Sequence, residues 1–277
     1  MKSLEFALLW GGLLAFAAGT AAAAAAVRSG TSRLLALVRA AAGLGIGLHA
    51  AFLAVTSARE GRFPVESTLE AFVFLAAALT AAAILLDLLR GMPILLIAAM
   101  PLALLTTLLA LALTLAPPRT PADAPGPSGA AVALHAAGAL ASYAAFALAF
   151  ASGVVYIVAH RQLKRHGPSP VLGLMPPLET VGRVNVRSIA AGVVLLAAGL
   201  VAGYLYAREL YPGQRGWRLD PKVFLTTITV AAYAVVLGLS RRPAFRGRRT
   251  AVASMACFAL VLVTFWANII WRGFHSR

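Results

Sequence analysis

Metal ligation is the chemistry this chain's residues suit best, and its carriers are histidines. Of the five, His49 and His135 fall inside apolar runs and His275 follows the last such run. His160 and His166 flank basic residues and read as solvated side chains. A neutral imidazole offers one nitrogen lone pair, and two imidazoles at one depth can fill both axial positions of a haem iron. His135 and His275 are such a pair by position, each close to the same side of its run. The competing reading is that each histidine bonds a neighbouring helix, the commoner role of a lone histidine inside a membrane. Other chemistries lack their residues. The single cysteine, Cys257, lies in an apolar run, so no disulfide or CxxC relay can form within the chain. No nucleophile–base pair, metal-ligand cluster or phosphate loop occurs. Nothing in the residues themselves argues for an enzyme.

The elements that must position these histidines are membrane spans. Of 277 residues, 61% are hydrophobic and 12% charged, about half the charged share of a soluble domain. Eight runs come close to the ~20 apolar residues that cross a bilayer. They are 4–26, 34–57, 68–89, 93–116, 130–159, 188–207, 223–239 and 251–271. This predicts an all-α fold: a polytopic integral membrane helical bundle of about eight transmembrane helices, one domain over residues 1–277. The first run is long enough to span and is expected to stay as a helix rather than leave as a signal peptide. The run 223–239 is the weakest, being short and carrying Thr226, Thr227 and Thr229, whose hydroxyls can bond back to helix carbonyls. No internal repeat is visible, so symmetry does not support an inverted-repeat transporter.

The formal net charge is +15. The Lys and Arg residues sit mostly in connectors between apolar runs and form no nucleic-acid motif, which points to membrane topology and away from nucleic acid. The densest basic connectors, 160–187 and 241–249, place their side in the cytoplasm of a bacterial-type (inner) membrane, with both termini outside. On the outer side the connector 208–222 combines Tyr211 and Trp217 with Arg215, Arg218 and Lys222. Flat apolar faces beside cations suit a porphyrin and its propionates, and they equally suit an interfacial aromatic anchor. Besides His135, the ionisable residues singled out inside apolar runs are Arg39, His49, Glu70 and Asp87. Arg39 is expected to snorkel to the interface, Asp87 to pair with Arg90 at i,i+3, and Glu70 to favour a helix N-terminus. His49 precedes Arg59 by about ten residues, so it sits roughly 15 Å deeper than that end and need not be level with His135.

Several short patterns follow one another along the chain. Gly61-Arg62-Phe63-Pro64 leads to Leu69-Glu70-Ala71, and Leu134-His135 to Ser142-Tyr143-Ala144. Met175-Pro176-Pro177-Leu178-Glu179 comes next. Tyr206-Ala207-Arg208-Glu209-Leu210-Tyr211 then precedes Trp217-Arg218-Leu219-Asp220-Pro221-Lys222, and Gly273-Phe274-His275-Ser276 closes the chain. In this order they resemble the CcsA-like cytochrome c assembly family, which includes HemX-type and YpjD-type members. The resemblance runs from the second span to the C-terminus.

That resemblance implies an external segment presenting haem, of the b type, with His135 and His275 as axial ligands. Tyr211, Trp217, Arg218, Asp220 and Lys222 would belong to the presenting segment. It further implies delivery to the CxxCH motifs of an apocytochrome c beside a CcsB/ResB-type membrane partner, the chain being at most a subunit of a haem ligase. Two departures stand out. Of the family's clustered tryptophans only Trp217 remains near Asp220, and Leu237-Gly238 follows Tyr233 where the family pattern carries a membrane-level histidine. His49 is the candidate to stand in for that histidine. Two alternatives remain open: a haem-free scaffold or regulator of tetrapyrrole supply, and a small-molecule or ion transporter using Arg39, His49 and Asp87.

Overall fold

The computed structural model describes residues 3–31, 33–65, 67–114, 130–165, 173–210 and 221–270. Among them stand eight α-helices: α1 Ser3–Ser29, α2 Arg33–Glu60, α3 Thr68–Arg90, α4 Pro93–Thr114, α5 Ala130–Arg165, α6 Leu178–Leu210, α7 Pro221–Ser240 and α8 Arg248–Ile270. All eight are long and apolar enough to cross a membrane. The protein is therefore a multi-pass membrane protein with an all-helical fold.

Two ends differ from the expected spans. Helix α5 continues to Arg165 and α6 begins at Leu178, so much of the basic connector 160–187 is helical. Hydropathy registers only the lipid-exposed length, whereas Lys, Arg and Glu are good helix formers in water. Glu179 and Arg183 add an i,i+4 pair at 2.8 Å on the first turns of α6. At 1.5 Å per residue, the 36 residues of α5 extend about 54 Å, well beyond the ~30 Å hydrocarbon layer.

The bundle has two halves. In the first, α1 to α4 enclose a core of Phe16, Val38, Leu79, Leu95 and Met100. In the second, α5 to α8 close around Phe146, Ile189, Leu196 and Tyr233. Lipid is as apolar as these side chains, so close packing and interhelical polar bonds must hold the helices together. Glycine supplies the close approach at Gly192, where a Cβ would lie 2.4 Å from Phe146. That lets Phe146 stack on Tyr233 at 3.9 Å between centroids. Helices α3, α4 and α5 join the halves, and Phe72 of α3 meets Phe265 of α8 at 4.6 Å.

Local chemistry sets the turns. Ser67 and Glu70 form a reciprocal capping box at the start of α3, as a carboxylate in a first helical turn should. Gly91 ends α3 in the left-handed conformation, φ 60°, its N–H donating to Asp87 O at 2.8 Å. Pro93 then opens α4, where a missing N–H costs nothing. In α7, Thr227 and Thr229 donate to Val223 O and Leu225 O as expected, and Thr229 also meets Thr264 of α8 at 3.1 Å.

Candidate haem-handling site

His135 lies one to two turns into α5, at the end of the bundle where α6 closes at Leu210, α7 opens at Pro221 and α8 closes at Ile270. Its Nδ1 is 2.7 Å from the carbonyl oxygen of Gly199 on α6. A carbonyl oxygen only accepts, so Nδ1 carries the proton and donates it. Nε2 is then the nitrogen that carries the lone pair, the form of imidazole that binds a metal. Gly203 lies one turn along the same face of α6. A Cβ there would stand 2.7 Å from Cε1 of the His135 ring. The missing Cβ at Gly203 thus leaves a notch in α6 into which the edge of the imidazole fits.

The other residues expected at the site divide by position. Tyr211, Trp217, Arg218, Asp220 and His275 lie outside the described residues, as does Arg215. The first four belong to the stretch that joins α6 to α7, and His275 to the stretch that follows α8. Lys222 is the second residue of α7. Both stretches therefore leave from the end of the bundle that carries His135.

His49 is elsewhere. It is fully buried, at 0% exposure, in the first half of the bundle. Its ring meets Phe16 of α1 edge-on at 5.1 Å between centroids, and a Cβ at Gly12 would lie 2.6 Å from its Cδ2 and Nε2. The backbone of Val73 on α3 lies beside the ring, yet neither nitrogen completes a hydrogen bond. His49 and His135 are thus packed by different helices in different halves.

The remaining membrane charges are paired across helices, which corrects two of the expectations above. Arg39 does not snorkel away alone, and Asp87 does not pair with Arg90. Arg39 forks onto Asp87 instead, at 2.7 and 3.1 Å, tying α2 to α3. Asp87 is buried at 0% side-chain exposure, whereas Arg39 remains 41% exposed. At the opposite end Arg62 forks onto Glu70 at 2.9 and 2.8 Å. Arg59 there reaches Glu5 of α1 at 2.8 Å, and Glu60 bridges Arg59 and Arg62. Sequence reasoning missed Glu5 and the Arg62–Glu70 fork. The acidic residue in a first turn was the available signal, but its partner lies across a turn whose path the sequence does not state.

The second half uses neutral polar groups. Asn185 of α6 is buried and donates to Ala149 O of α5 at 2.7 Å and to Ser254 of α8 at 3.0 Å. Among the described residues no group of three or more His, Cys, Asp or Glu side chains could hold a bare metal ion. An imidazole with a fixed Nε2 does fit one axial position of an iron already held in a porphyrin.

The sequence matches the cytochrome c assembly protein family over residues 66–275. The chain belongs to that family. The match takes in α3 to α8, His135 with its α6 notch, the stretch between α6 and α7, and His275. It begins after His49. Among curated proteins, the chain is similar to the cytochrome c biogenesis protein CcsA of Prochlorococcus marinus, 26% identical over 239 residues, covering 78% of this chain and 76% of the relative. It is also similar to the cytochrome c biogenesis protein CcsA of Synechococcus elongatus, 27% identical over 271 residues, covering 82% of each. Membership of the family and likeness to these relatives support a role in cytochrome c biogenesis.

Proposed function

We propose that this membrane protein handles haem during cytochrome c assembly and presents it at the end of the bundle that carries His135. The observation that carries the reading is the 2.7 Å bond from Nδ1 to Gly199 O, inside the span that matches the family. His135 supplies one axial ligand and His275 the other. Tyr211 and Trp217 provide the apolar shelf, Arg218 and Lys222 face the propionates, and Asp220 belongs to the same segment. Haem, of the b type, is cargo here rather than a resident group, and the chain's task is to bind and orient it. The acceptor is an apocytochrome c, and a CcsB/ResB-type membrane protein is the expected partner. The excess of Lys and Arg at the opposite end supports an outward-facing site, with both termini on that side of the membrane.

His49 is the weaker candidate as a ligand. Its ring is closed in by Gly12 and Phe16, so a porphyrin would reach it only after α1 moved away. A transporter loses its main support, because Arg39 and Asp87 satisfy each other. One observation favours a haem-free scaffold: Gly238, where the family pattern carries a membrane-level histidine, has open space around its Cβ position.

The test is an absorption spectrum of the detergent-purified protein, oxidised and reduced, beside His135→Ala and His275→Ala. A Soret band with the sharp reduced bands of six-coordinate bis-His iron is expected, lost in both variants. A protein that stays colourless after growth with excess haem precursor would exclude haem handling and leave the scaffold.

A further inference from the structure

We propose that Gly199 and Gly203 of α6 are positioning residues for His135, fixing its tautomer and ring plane so that Nε2 alone addresses the iron. The inference rests on the haem-handling reading and adds to it how the ligand is aimed. Three observations carry it. First, the Gly199 carbonyl oxygen accepts a hydrogen bond from Nδ1–H at an N···O distance of 2.7 Å, which assigns coordination to Nε2. A backbone carbonyl in this role raises ligand basicity and holds the ring against rotation.

Second, the ring fits only because position 203 has no side chain. A Cβ there would sit 2.7 Å from Cε1, 3.1 Å from Nδ1 and 3.3 Å from Nε2. The imidazole has two side-chain torsions and no flexible end with which to step aside. Third, the two positions are not equivalent. A Cβ at Gly199 would meet the ring and the α5 backbone at only 3.8 to 3.9 Å, ordinary van der Waals contact. Glycine within a helix is less favourable than alanine, and at 203 the close approach of the His135 ring leaves room for no larger residue.

The asymmetry yields a test with its own control. Both Gly199→Ala and Gly203→Ala add one methyl to the same face of the same helix, and both raise helix propensity. Gly199→Ala keeps the backbone carbonyl and adds a methyl only at van der Waals contact, so it is expected to disturb the haem spectrum and haem retention far less than Gly203→Ala. Gly203→Ala is expected to lose the six-coordinate low-spin spectrum, with haem affinity falling about ten- to a hundredfold. Added imidazole should restore the low-spin bands by taking the vacated position. A further comparison separates aiming from folding. Placed on the His135→Ala background with imidazole present, Gly203→Ala should change nothing, since the ring it displaces is gone.

Three outcomes overturn the proposal. One is a Gly203→Ala protein with an unchanged spectrum while His135→Ala loses its low-spin bands. A second is equal damage from the two alanines. A third is failure of the double variant to take haem with imidazole when His135→Ala does so. If His135→Ala itself keeps the full spectrum, His135 is not a ligand, and the haem-handling reading at this residue falls together with the inference.

Discussion

The two halves of the bundle each hold a histidine against a glycine notch, and they use it in opposite ways. In the first half, His49 fits against Gly12 of α1 with neither ring nitrogen bonded. In the second half, His135 fits against Gly203 of α6 with Nδ1 bonded to Gly199. The first ring is enclosed at 0% exposure, whereas the second is part-buried at one end of the bundle. Shape complementarity alone therefore does not mark a ligand. Of the two rings, only that of His135 has its orientation fixed by a polar partner, as the proposed ligand role requires.

The bonds that hold the halves together differ as well. Helices α1 to α3 are joined near both ends by ion pairs, and α5, α6 and α8 by the amide of Asn185. A framework of charges sits where headgroups and water can solvate the outer partner, as at the half-exposed Arg39. The Asn185 cluster is buried, and a neutral amide costs far less to bury than a charge.

The largest effect on this contrast is expected at the α2–α3 fork, and it should be lopsided. Arg39→Ala strands the buried Asp87 carboxylate and should cost about 3 kcal/mol. Asp87→Ala leaves an arginine that can turn to the headgroups, at about 1 kcal/mol or less. Unfolding in mixed detergent micelles measures both. Equal losses would mean that Arg39 is as dry as its partner. Next in size is Asn185→Ala, which removes one donor shared by three helices and should lower stability by about 1–2 kcal/mol in the same assay. No loss would show that the second half stands on packing alone.

The smallest change is expected at His49→Leu. It removes two buried nitrogens without partners and keeps an apolar side chain, so stability should move by less than about 1 kcal/mol, in either direction. The haem spectrum should stay as in the unmodified protein. A spectrum that changes with His49→Leu would end the distinction between the two histidines and make α1 a mobile cover over a second ligand.

Much of the architecture could be read from the chain. The apolar runs located all eight helices, because a segment of about twenty apolar residues has few other ways to satisfy its backbone in lipid. Glu70 was recognised at a helix start because a carboxylate suits a helix N-terminus, a local effect; the capping box with Ser67 was seen only in the structure. The helix ends beyond the membrane were misjudged at α5 and α6, since hydropathy is silent once a helix enters water. Leu134-His135 and the pattern around it marked His135 as a candidate, but not the Gly199 carbonyl that its ring meets.

What the amino-acid sequence determined by itself was what is local or periodic: the spans, their caps, the back-bonded threonines and the candidate ligand types. Tertiary structure alone decided the pairings. Arg39 finds Asp87 48 residues away, and His135 finds Gly199 64 residues away. Neither distance carries any periodicity that a sequence can display. Asp87 had a nearer candidate in Arg90, and His135 had every backbone carbonyl of seven other helices. Helix packing chooses among such partners, since a hydrogen bond, including one within an ion pair, forms only at about 3 Å, and only the packed bundle brings these atoms that close.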